Sequence, residues 1–193
     1  MNCFIGGSRV EHDTGEILEL LTGKISSIDG VQSIGVSGGK TPLPKAGEGD
    51  IDIFIYCDKI PGPKARQKVL DQFADLLEEV RINVFEGGHW GIGDLVIING
   101  VETWLMYFAA DETLNDLDSI LNGDYPDKLD NYYYPIGRCA MLKNISILYD
   151  RNDFQIMFQR HVKIRQCLRL HALGGIDQKQ NAFTGCQRSG NLI

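Results

Sequence analysis

Two aspartates separated by one residue, Asp50 and Asp52, have the clearest chemistry in this sequence. They stand in the run Gly49-Asp50-Ile51-Asp52-Ile53-Phe54, whose alternating apolar residues predict a β-strand. Residues two apart on a strand project from the same face, so both carboxylates come together at its beginning. Two negative charges at that spacing repel unless a cation lies between them, and Mg²⁺ prefers hard oxygen ligands. The pair therefore favours a magnesium site, although a D-x-D pattern alone is more often two solvated aspartates.

A glycine-rich turn precedes this strand and offers groups that bind phosphate. It follows a strand predicted over residues 31–36, and its glycines let bare backbone N–H groups approach phosphate oxygens. The turn is not a P-loop, because the spacing from Gly35 is one residue short and Pro42 prevents the helix that must follow. We therefore expect phosphate contacts from four residues, which are Ser37, Gly38, Gly39 and Lys40.

A strand, a glycine turn, about ten residues and a second strand that opens with D-x-D form a recognisable combination. It resembles the nucleotidyltransferase superfamily of polymerase-β-like fold, over roughly Gln32 to Arg160. The resemblance implies an α+β fold with a mixed sheet packed by helices. It also implies Mg²⁺-dependent transfer of a nucleotidyl group from a nucleoside triphosphate such as ATP to a hydroxyl acceptor. In the family, the residues that match Asp50 and Asp52 bind the metals that hold the triphosphate.

The family places a third acidic residue on a later strand, and two residues of this chain compete for that role. Val101-Glu102-Thr103-Trp104-Leu105 offers Glu102 at the base of a predicted hairpin, whereas Asp94 lies on the partner strand. The resemblance favours Glu102. That residue would complete the metal site or help to deprotonate the acceptor hydroxyl.

The chain departs from the family in two respects. The loop before Asp50 lacks the usual Arg-Gly and carries Pro42, Pro44 and Lys45. The chain also ends soon after a helix predicted to close at Leu173, where many relatives continue into a helical bundle that forms part of the acceptor pocket. That pocket would then be completed by a second copy of the chain, as a homodimer, or be absent. The alternative function is a catalytically idle nucleotide-binding or interaction module.

Hydrophobic periodicity predicts the elements that position these groups. The order of helix, strand, strand, helix, strand, hairpin and helices indicates an α+β (α/β) sheet with helices packed on it. Asn99-Gly100 predicts a type I′ hairpin turn. We expect one domain over residues 1–173 and a poorly ordered tail over 174–193. The predicted helices cover residues 14–28, 63–80, 111–121 and 150–173. The predicted strands cover 31–36, 81–85, 94–98 and 101–108, and a further strand opens at Ile51. Residues 145–149 are predicted to form a strand or a buried turn.

Composition limits the class of protein and its partners. The 193 residues are 43% hydrophobic and 23% charged, which is ordinary for a soluble globular protein. A formal net charge of −7 argues against nucleic acid as a partner. No run of about 18 apolar residues and no secretory signal is present, so we expect a cytoplasmic protein without membrane contact. The five cysteines are odd in number and far apart, which argues against a disulfide scaffold and a thiolate zinc site.

Overall fold

Short regular elements alternate along the chain. The structure, a computed structural model, describes residues 12–37, 42–87, 91–122 and 145–156, together with Gln159, Arg160 and Lys163. Its elements in chain order are α1 (Thr14–Ile25), β1 (Val31–Val36), β2 (Ile51–Cys57), α2 (Pro63–Leu70), a 3₁₀ turn (Asp71–Phe73), β3 (Glu79–Glu86), β4 (Ile92–Ile98), β5 (Val101–Ala109), α3 (Ala110–Asn122), β6 (Ser146–Asp150) and a 3₁₀ turn (Arg151–Asp153). Among the described helices, none is long and apolar enough to cross a membrane.

The six strands among the described residues form one mixed sheet in the order β3-β4-β5-β2-β1-β6. Strands β2 and β5 pair in parallel, and each of the other neighbouring pairs is antiparallel. A mixed sheet packed by helices confirms the predicted α+β fold class. Strand β2 therefore lies in the interior of the sheet, between β1 and β5, and both strands can contribute residues beside its first positions.

Strand β2 buries both of its faces. Its odd-numbered residues pack into a core with helices α1 and α2. Its even-numbered residues Phe54 and Tyr56 pack with Met106 and Phe108 of β5 and with Leu117 of α3. This arrangement confirms the prediction of a strand that is hydrophobic on two sides, and it gives the sheet helices on both faces. The two faces also decide which polar side chains can meet.

The predicted helix over residues 63–80 is wrong in its second half. Helix α2 ends at Leu70, a 3₁₀ turn follows, and Glu79 and Val80 already pair with β4. Phe73 and Leu77 remain buried in the same core as α2, which explains why the apolar spacing imitated a longer helix. Pairing with β4 overrides the local helical pattern here.

The hairpin between β4 and β5 has the predicted turn. Asn99 and Gly100 both adopt left-handed backbone conformations, with φ of 50° and 73°, which a type I′ turn requires. Ile98 pairs with Val101 directly beside the turn. This two-residue turn sets the register of every other pair in the hairpin.

The predicted helix 150–173 lies largely outside the described residues, and the predicted tail 174–193 lies wholly outside them.

At position 35 of β1, only glycine leaves room for the side chain of Ile145. A Cβ atom at this position would lie 2.0 Å from Cγ2 of Ile145. We expect Gly35→Ala to lower the free energy of unfolding by about 1–3 kcal/mol, because Ile145 must move out of its packed position. Gly23→Ala is the matched control. Gly23 lies in α1 with open space around it, so alanine should stabilise the protein by about 0.5–1 kcal/mol. Urea unfolding measures the free energy of unfolding of both variants. Equal changes in the two variants would contradict the close contact between position 35 and Ile145.

Candidate active site

The two aspartates lie at the beginning of β2, where β1 and β5 flank it. Asp52 is half-buried and stands next to Trp104 in the parallel register of β2 and β5. On the other side, the backbone N–H of Ser37 donates to the backbone oxygen of Asp52 at 3.0 Å. Asp50 is exposed and directly precedes the strand. By the alternation of side chains, Asp50 and Asp52 belong to the same face as Phe54.

The local environment makes the ionised form of Asp52 less favourable than it is for an exposed aspartate. Burial raises the pKa of Asp52, and the negative charge of Asp50 raises it further. The hydroxyl of Ser37 donates to Oδ2 of Asp52 at 3.4 Å and partly offsets this rise. The charge of Asp50 is thus one cause of the raised pKa of Asp52, and a divalent cation beside the two carboxylates would offset it. Asp50 and Asp52 therefore offer oxygen ligands of the kind that a Mg²⁺ ion prefers.

This repulsion has a measurable consequence for stability without metal. Because the pKa of Asp52 is raised on folding, the folded state binds the proton more tightly, so ionising Asp52 destabilises the protein as the pH rises through that pKa. We expect Asp52→Asn to raise the free energy of unfolding at neutral pH by up to about 1 kcal/mol in the presence of EDTA. The gain should shrink as the pH falls through the raised pKa. Thermal melts at several pH values test this, and a destabilised Asp52→Asn protein at neutral pH would contradict it.

Glu102 shares the sheet face of the two aspartates but does not join them in a cluster. Extending the register of β2 and β5 by one residue places Glu102 beside Asp50. Glu102 is exposed, and its charge acts on Arg81, whose pKa is raised mainly by its hydrogen bond to Glu79. Within the described ranges, no three His, Cys, Asp or Glu residues stand close enough to hold a metal ion together. Glu102 is thus available on the β5 side of the pair rather than preassembled as a third ligand.

Asp94, the competing third acid, lies on the opposite face of the sheet. It pairs with Leu105, whereas Glu102 pairs with Ile97. Asp94 is fully buried and forms a 2.6 Å ion pair with Arg66 of α2. The side chains of Asp94 and Asp52 are therefore separated by the sheet itself, and Asp94 has a structural partner of its own.

The glycine turn begins beside Asp52. Ser37, its first residue, makes both a backbone and a side-chain hydrogen bond to Asp52. Gly38, Gly39 and Lys40 lie outside the described residues. The chain therefore enters the turn next to the carboxylates, on the β1 side of β2.

Trp104 is a neighbour of the site that sequence reasoning missed. It is half-buried, lies next to Asp52 across β2 and β5, and stands two residues after Glu102 on the same face. Alternation along β5 would have placed it with Glu102, but its position beside Asp52 depends on the parallel pairing of two distant segments. Cys57, at the far end of β2, is excluded as a nucleophile because burial raises the pKa of its thiol to about 12.

The fold and the site together define an α+β protein that carries paired carboxylates at one end of a mixed sheet. No family model matches the sequence, and no curated protein matches it either. A solved structure that is similar to the chain is that of a nucleotidyltransferase-like protein from Exiguobacterium sibiricum. The match has a TM-score of 0.39 and 14% sequence identity, and it covers 78% of this chain and 41% of that one. The chain thus spans less than half of that protein's length.

Proposed function

We propose that this protein is a Mg²⁺-dependent nucleotidyltransferase. It would transfer a nucleotidyl group from a nucleoside triphosphate, such as ATP, to a hydroxyl acceptor and release pyrophosphate. The observation that carries the proposal is the pairing of Asp50 and Asp52 on one sheet face, with the charge of Asp50 and burial both raising the pKa of Asp52. The hydrogen bonds from Ser37, which begins the glycine turn, give the pair a neighbour suited to phosphate.

Asp50 and Asp52 would hold the metal through their carboxylate oxygens. When bound, Mg²⁺ supplies charge neutralisation for the phosphate oxygens and for the attacking and leaving oxygens. Ser37 keeps Asp52 in place through its hydroxyl, and it would align the following amides with the triphosphate. In this assignment the protein positions its substrates and stabilises charge, which are the main sources of rate acceleration in phosphoryl transfer.

The order of the strands is consistent with substrates that approach Asp52 from its two sides. Strand β2 carries the aspartates, β1 leads into the glycine turn on one side, and β5 lies on the other. With the β- and γ-phosphates bound beside Ser37, pyrophosphate would leave on the β1 side of Asp52. In-line displacement then brings the acceptor from the β5 side, where Glu102 is exposed. The acceptor oxygen bonds to the α-phosphorus, the bond to the β-phosphate oxygen breaks, and Glu102 takes the hydroxyl proton.

The test is incubation of the full chain with labelled ATP, GTP, CTP and UTP, with Mg²⁺ and a panel of hydroxyl acceptors. We expect pyrophosphate release that requires Mg²⁺ and an acceptor. Asp58→Asn is the matched control, because this exposed aspartate follows the opposite end of β2. Nucleotide binding without release for any acceptor would instead favour the idle nucleotide-binding module.

A further inference from the structure

We propose that Trp104, supported by Phe85, binds a planar ring of the acceptor. The assignment rests on the proposed function, because it takes the acceptor to approach from the β5 side. Trp104 is half-buried and lies in register with Asp52, so the backbones of the two residues are one strand spacing apart, about 4.8 Å. A ring on the indole would hold an attached hydroxyl beside the carboxylates.

Phe85 occupies space that is open because its partner in the neighbouring strand, Gly93, has no side chain. Phe85 of β3 pairs with Gly93 of β4. A Cβ atom at Gly93 would lie 2.0 Å from Cζ of Phe85, so the phenyl ring lies directly against the bare backbone. From there it reaches Trp104, with ring centroids 5.8 Å apart and planes inclined by 33°. Phe85 therefore supports one side of the indole, while Asp52 stands on the other.

The neighbours of Trp104 combine apolar area with carboxylates. Leu95, which pairs with Trp104 from β4, is buried on the same face. Glu102 stands two residues before Trp104 on the same face and is exposed. Such a surface stacks a flat ring through its indole and accepts hydrogen bonds from the ring's substituents through the carboxylates. It suits a ring-bearing hydroxyl compound better than a short aliphatic alcohol.

The position of Trp104 relative to the leaving group favours the acceptor, and not the nucleobase, as the molecule whose ring it binds. Ser37, the first residue of the glycine turn, and Trp104 lie on opposite sides of Asp52, beside β1 and on β5 respectively. Attack in line places the entering oxygen opposite the departing pyrophosphate, whereas the ribose and base leave the α-phosphorus sideways. A ring that stacks on Trp104 is therefore the ring of the entering molecule.

Tryptophan fluorescence tests this directly, because Trp90→Phe leaves Trp104 as the only tryptophan in the chain. The probes are matched pairs with and without a ring: phenyl and methyl β-D-glucoside, and N-acetyltyrosinamide and N-acetylserinamide. We expect a ring-bearing probe to quench Trp104 and to bind at least about ten-fold more tightly than its ring-free partner. Trp104→Leu, followed by thermal shift, should abolish this preference, whereas Trp104→Phe should retain part of it. Equal binding within each pair, or a preference that persists in Trp104→Leu, overturns the proposal.

A parallel thermal shift with Mg²⁺ and ATP separates this proposal from the proposed function. Stabilisation by the nucleotide without any ring preference keeps the nucleotidyltransferase and overturns the ring site. A ring preference at Trp104 in a protein that does not respond to Mg²⁺ and nucleotides keeps the ring site and contradicts the nucleotidyltransferase.

Discussion

Asp52→Asn is expected to lower the rate of nucleotidyl transfer by about 10²–10³-fold, because an amide cannot supply the charge that holds a divalent cation on the phosphates. Asp50→Asn should act in the same direction. Unfolding is not the expected cause of the loss, since removing the repulsion with Asp50 is expected to stabilise the metal-free protein. The measurement is pyrophosphate release at saturating nucleotide and Mg²⁺.

Two controls make this result specific to the pair. Asp58→Asn changes the same residue type directly after the far end of the strand and should leave the rate within about two-fold. The double variant Asp50→Asn/Asp52→Asn should be little slower than Asp52→Asn alone, because residues that act as one unit are not additive. A rate for Asp52→Asn close to that of the unmodified protein would show that the pair does not bind the metal of the reaction.

Asp94→Ala is expected to produce the largest loss of stability, about 3–5 kcal/mol, because it leaves a buried arginine without its counter-ion. The side chains of Arg66 and Asp94 are 1% and 0% exposed, and they form a 2.6 Å ion pair. Arg66 also donates to the side-chain oxygen of Asn83 and lies 4.9 Å from the ring centre of Tyr107. The backbone N–H of Asn83 donates to Asp94 at 2.9 Å, so removal of Asp94 disrupts three elements at once.

The matched comparison replaces both partners. Arg66→Met/Asp94→Leu removes the charges together and fills the space with apolar groups, so it should be more stable than Asp94→Ala. Within the described residues, Nε of Arg66 and Oδ2 of Asp94 make no hydrogen bond. The double variant therefore removes fewer hydrogen bonds than a fully bonded ion pair would lose. Urea unfolding measures the series. A loss below about 1 kcal/mol for Asp94→Ala would contradict a structural role for this pair.

Much of the sheet is predictable from local patterns. Alternation after Asp50 predicts β2, and Asn99-Gly100 predicts the hairpin, because each depends on residues close in sequence. The end of α2 is not predictable in this way. Phe73 and Leu77 continue the apolar spacing of a helix, although they lie after the end of α2 and are buried in the same core. The change to a strand becomes visible only in the pairing of Val80 with Val96.

The same distinction applies to the site. The shared face of Asp50 and Asp52 follows from alternation along one strand. The choice between Asp94 and Glu102 was also encoded locally, since a two-residue turn pairs position 97 with 102 and 94 with 105, which places the two acids on opposite faces. The neighbourhood of Trp104 and Asp52 was not encoded locally, because it requires the parallel pairing of strands about fifty residues apart.

Isothermal titration calorimetry of the full chain with ATP, GTP, CTP and UTP tests most directly whether Asp50 and Asp52 form a metal-dependent nucleotide site. The account predicts that at least one nucleotide binds when Mg²⁺ is present, that EDTA abolishes binding, and that Asp50→Asn/Asp52→Asn loses it while Asp58→Asn retains it. Absence of binding for all four nucleotides, or unchanged binding in the double variant, would contradict the assignment of this site.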